Sequence, residues 1–68
     1  MNEDVLNLEI RRFLKQFGVS AQRGVEKAVT AAIDAGRLKG NETLKARAVL
    51  DIEGLGTAVT LEGEIALL

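Results

Sequence analysis

The spacing of apolar residues changes at Thr43. Before it they recur every three or four positions, and after it every second position. The first spacing places residues on one face of a helix, and the second places them on one face of a strand. A chain that makes this switch once has its helices and its strands segregated, which is the α+β class.

The downstream half reads as a hairpin. Leu44, Ala46, Ala48, Leu50 and Ile52 alternate with Lys45, Arg47, Val49, Asp51 and Glu53. Gly54-Leu55-Gly56-Thr57 interrupts the pattern. Val59, Leu61, Gly63, Ile65 and Leu67 then alternate with Ala58, Thr60, Glu62, Glu64 and Ala66. Strands are predicted over 43–53 and 58–67, with one apolar face. Even positions of the first strand share that face with odd positions of the second only if paired residue numbers add to an odd value. A loop centred on Leu55–Gly56 makes that value 111. It sets Leu50 opposite Leu61, Ala46 opposite Ile65 and Arg47 opposite Glu64, with Glu62 diagonal to Arg47.

The upstream half predicts two helices, 2–17 and 20–35. Asn2 is a capping residue, and Glu3 and Asp4 lie at the positive end of the helix dipole. Val5, Leu6, Ile10, Phe13, Leu14 and Phe17 form the apolar stripe. Gly18 is read as the left-handed residue that ends helix one, and Ser20 as the cap that begins helix two. Gly36 closes the second helix. That helix carries a bulky strip, Val25, Val29 and Ile33, beside a small one, Gly24, Ala28, Ala31 and Ala35. One strip is expected to meet a sheet and the other a helix. The whole is a single domain over 1–68, ααββ, with a helical hairpin packed on a C-terminal β-hairpin.

Size then bears on assembly. A chain of 68 residues gains little from a single core and usually needs a staple. It contains no Cys and no His, so disulfides and ordinary zinc sites are not expected. Self-association is the staple left. A two-stranded hairpin also carries two open edges, which a second chain would remove by completing a four-stranded sheet. A homodimer is therefore expected, through the sheet edge, the helices or both. The Arg37–Glu42 connector offers a route to a swapped form. Gly24, Ala28, Ala31 and Ala35 are candidate dimer or partner contacts. Leu8, opposite the main stripe, and Leu55, at the hairpin tip, join them because neither has a place in the apolar faces.

The functional classes narrow by charge. The net charge is −1 and the pI about 5.3. Phosphate backbones call for a basic surface. Residues 1–40 hold seven Lys or Arg against five Asp or Glu, and residues 41–68 hold two against five. The segment FGVSAQRGVEKAV resembles a helix-turn-helix corner. Its nucleic-acid candidates are Arg11, Arg12, Lys15, Arg23 and Lys27, but Glu26 and Asp34 share the outer face and the hairpin is acidic. Nucleic-acid binding is the alternative reading, not the leading one. Asp51, Glu53, Glu62 and Glu64 share a solvated strand face with no His or implied pocket, so no catalytic, metal or cofactor site is assigned. The Gly36–Gly40 and Gly54–Gly56 spacings fit turns, not phosphate loops. The acidic start and the lack of a long apolar run point to a cytoplasmic protein with no membrane span.

The segments together resemble a family of small uncharacterised bacterial proteins, a domain of unknown function. The likeness rests on MNEDV at 1–5, RRFLKQFGV at 11–19, QR at 22–23, EKAV at 26–29, AGRLKGNETL at 35–44 and EGEI at 62–65. Lys45 departs from the residue expected after NETL. The resemblance implies a bacterial source and a compact helix-helix-hairpin unit, and it implies no activity. The leading expectation is a non-enzymatic homodimeric interaction or structural module, with an unidentified protein as a further potential partner.

Overall fold

The computed structural model describes every residue from Met1 to Leu68. Its elements are α1 (Glu3–Asp34), β1 (Thr43–Ile52) and β2 (Gly56–Ala66). The α+β class and the helix-to-hairpin order follow the change of period at Thr43. The chain divides into two compact units, Met1–Arg37 and Leu38–Leu68.

The first unit corrects the two-helix reading. A single helix of 32 residues runs through the predicted turn, about 48 Å long at 1.5 Å per residue. Gly18 is not among the glycines with positive φ, so it does not adopt the left-handed conformation that a helix closure requires. A glycine inside a helix costs roughly 0.5–1 kcal/mol relative to Ala. A break would strand up to four carbonyls on one side and four amides on the other. No Pro occurs in the chain to force that loss. Ser20 is accordingly a helix-interior residue and not a cap.

Both ends of α1 form as their residues predict. The Asn2 side-chain oxygen accepts hydrogen bonds from the Asp4 and Val5 amides at 3.0 and 3.2 Å. At the other end Gly36 has φ +78°. The Gly36 amide donates to the Ile33 carbonyl at 3.0 Å, and the Arg37 amide donates to the Ala32 carbonyl at 2.8 Å. That pair of bonds is the Schellman closure, which needs a left-handed residue where Gly36 stands.

The second unit begins with a clamp. Both carboxylate oxygens of Glu42 accept from the Lys39 amide, at 3.2 and 2.9 Å, and one also accepts from the Gly40 amide at 2.9 Å. These bonds, the Lys39 amide first and the Gly40 amide second, hold the Glu42 carboxyl below its ordinary pKa of 4.5. A lowered folded pKa means the contribution is present above the ordinary value and is lost as pH falls through the lowered one. The Lys39 and Gly40 amide proton shifts are therefore expected to titrate together with a midpoint below 4.5. The titration should vanish in Glu42→Gln. A midpoint at or above the ordinary value would show that the clamp does not form.

β1 and β2 pair antiparallel in a two-stranded sheet. The pairs from Thr43↔Ala66 to Leu50↔Val59 have numbers adding to 109, not 111. The odd sum keeps both apolar sets on one face, as their alternation requires, but the partners change. Leu50 lies opposite Val59, Ala46 opposite Gly63 and Arg47 opposite Glu62, while Lys45 faces Glu64. The cause is a tighter loop than the residues suggested. The Leu55 amide donates to the Ile52 carbonyl at 2.9 Å. Gly54 sits at φ +83° in the third position of that turn, the signature of type II. Only Glu53, Gly54 and Leu55 separate the strands. The register then shifts between Leu50 and Asp51, and Ala58 is the extra residue between Thr57 and Val59. The Thr57 hydroxyl donates to the Asp51 carboxylate at 2.7 Å beside this bulge.

Candidate functional site

The positions singled out in the sequence fall on two surfaces, one on each unit. The first is the apolar stripe of α1. Leu6, Ile10, Phe13, Leu14 and Phe17 occupy its N-terminal half, each between 43 and 52% exposed. The same stripe continues past Gly18 as Ala21, Gly24, Ala28, Ala31 and Ala35. Ile10, Leu14, Phe17, Ala21, Gly24, Ala28, Ala31 and Ala35 are spaced alternately by four and three. That is the 3.5-residue repeat of a helix–helix seam. The two-helix expectation concealed the repeat, because it crosses the supposed turn; its unbroken spacing fits one helix without by itself excluding a turn at Gly18.

The second surface is the apolar face of the hairpin. Leu44, Ala46, Ala48 and Leu50 stand opposite Ile65, Gly63, Leu61 and Val59. Leu44, Ala46 and Leu50 are half-buried, and Val59 and Leu61 are exposed. No side chain anywhere in the chain is buried.

Leu8 is exposed, as is Leu55 at the turn, the latter at 76%. Leu8 lies apart from the stripe that gathers Gly24, Ala28, Ala31 and Ala35. The small residues are thus brought together, while Leu8 and Leu55 are not.

The basic residues do not converge on a reading surface. With no turn at Gly18 there is no second helix to enter a groove. At 100° per residue Arg11, Arg12, Lys15, Arg23 and Lys27 spread over about 160° of the helix circumference. Arg12 is paired with Glu9 at 3.1 Å, and Gln22 donates to Glu26 at 3.1 Å within the same region.

The other hairpin face carries the charges. Arg47 approaches Glu62 at 3.9 Å, with both side chains more than 60% exposed. An exposed pair at that distance contributes little, about 0–1 kcal/mol. A shallow open depression of about 450 Å³ is lined by Lys45, Ala46, Arg47, Glu62, Gly63 and Glu64. No group of three Asp or Glu side chains is gathered as a metal would require. Asp51 is engaged by Thr57, and Glu53 lies in the turn and not in a strand.

The match to a family of unknown function, DUF6494, spans residues 1–68. The chain belongs to that family. The resemblance drawn from MNEDV through EGEI to a domain of unknown function is thereby shown, and membership assigns no chemistry to any residue. No curated protein and no solved structure matches the chain. No helix is long and apolar enough to cross a membrane.

Proposed function

We propose that this chain is a non-enzymatic interaction module that associates with a second copy of itself. The observation that carries the reading is that neither unit buries a side chain within itself, although each has an extensive apolar face. A helix stripe and a sheet face each need another layer against them. Neither Cys nor His is present to staple so small a chain instead. In the dimer the open edges of β1 and β2 supply a second contact by forming a four-stranded sheet. A swapped form would have to open the connector that Glu42 clamps to Lys39 and Gly40.

Light scattering on a size-exclusion column tests the reading. A mass near twice 7.3 kDa is expected. A mass of 7.3 kDa at all accessible concentrations overturns it. The chain has neither Trp nor Tyr, so its own absorbance between 260 and 280 nm is confined to weak Phe bands. A 260 nm band that travels with the protein and disappears at high salt would redirect the reading to nucleic acid.

A further inference from the structure

We infer that α1 pairs with α1 of a second copy in antiparallel orientation, so that the bulky half of each stripe lies on the small half of the other. The inference rests on the self-association proposed above and assigns its geometry. Large residues fill the seam at Ile10, Leu14 and Phe17, and small ones fill it at Ala21, Gly24, Ala28, Ala31 and Ala35. Parallel pairing would set Ile10, Leu14 and Phe17 on their own copies in one half and Ala28, Ala31 and Ala35 on theirs in the other. Helix axes pack about 8–10 Å apart depending on the side chains between them. A parallel pair would therefore be held wide at one end and left with voids at the other.

Antiparallel pairing removes the mismatch. When facing residue numbers add to 45, Ile10 meets Ala35, Leu14 meets Ala31, Phe17 meets Ala28 and Ala21 meets Gly24. From Ile10 to Ala35 every bulky seam residue then faces a small one, and none is left over. Gly24 has no Cβ, so the Ala21–Gly24 crossing at the centre of the pairing carries the least bulk of any. The area also suffices. Leu6, Ile10, Phe13, Leu14, Phe17 and Val25 are each 41–52% exposed. Six such side chains offer on the order of 500 Å², and the small residues and flanking stems bring the stripe to roughly the 800 Å² per partner of a stable interface. A repeat of 3.5 sustained from Ile10 to Ala35 is the spacing at which a second helix keeps contact along its whole length.

The absence of native Cys allows two single-cysteine variants to carry spin labels without background. Ser20→Cys lies near the midpoint of the predicted pairing, and Glu9→Cys lies far from it. In the antiparallel dimer the two Ser20 sites are separated along the axis by about 8 Å and the two Glu9 sites by about 40 Å. A short Ser20 distance with a Glu9 distance near 40 Å is the expected result. Short distances at both sites mean a parallel pair and overturn the inference. So does a Glu9 distance near 30 Å, which is a slip of one heptad. A long Ser20 distance in a dimer of confirmed mass shows that the helices are not the interface. That outcome overturns the pairing while leaving self-association standing, whereas a monomeric mass removes both.

Discussion

Phe17→Ala is expected to dissociate the protein at concentrations where the unmodified chain is dimeric. Phe17 is 49% exposed on the helix and is the largest and innermost residue of the bulky half of the seam. Truncating a buried Phe costs about 3–5 kcal/mol. Its own helix already covers about half of each Phe17, so association involves roughly half that cost per copy, about 4 kcal/mol over the two copies, or about three orders of magnitude in Kd. Serial dilution followed by light scattering reads the change directly. Leu8→Ala serves as the comparison, because Leu8 lies apart from the stripe; it is expected to leave the Kd within a few-fold. Equal Kd values for Phe17→Ala and the unmodified chain would remove the α1 stripe from the interface.

The second large effect concerns the continuity of α1. Ala21→Pro is expected to destabilise the chain by about 3 kcal/mol, because Pro removes the amide that bonds to the Phe17 carbonyl and its ring clashes there. Had Ser20 capped a separate helix, residue 21 would be its first turn, where Pro is well tolerated. The converse change has the opposite sign. Gly18→Ala is expected to stabilise by roughly 0.5–1 kcal/mol, since a Cβ at Gly18 meets nothing within 4 Å and φ is not left-handed. At a true left-handed closure the same change would destabilise. Thermal melts followed by circular dichroism at 222 nm measure both. A tolerated Ala21→Pro together with a destabilising Gly18→Ala would restore the two-helix arrangement.

Taken together, these variants separate two properties that the stripe combines. Ala21→Pro breaks the rod on which the seam is built. Phe17→Ala leaves the rod intact and removes a knob from it. If association depends on the seam, the first change should abolish dimerisation along with helicity, whereas the second should lower the mass before helicity falls. A helix depends on its packed stripe for most of its stability, so the monomer of the Phe17 variant should melt at a lower temperature than the unmodified dimer.

Much of this architecture could be read from the residues alone. The change of period at Thr43 determined the order of helix and hairpin. Asn2 determined where the helix starts and Gly36 where it ends, because each acts through hydrogen bonds to residues no more than five positions away. The odd parity of strand pairing was equally legible, since alternation along each strand specifies which residues share a face. What only the tertiary structure decided was continuity and register. Gly18 and Ser20 satisfy the local rules for both a turn and a helix interior, and the full ladder of backbone bonds through residue 18 resolves the choice. The shift from 111 to 109 arises from a three-residue loop and the bulge at Ala58. Both depend on which distant amides and carbonyls meet across the strands. Alternation is unchanged by a slip of two, so no pattern along either strand could have selected between those registers.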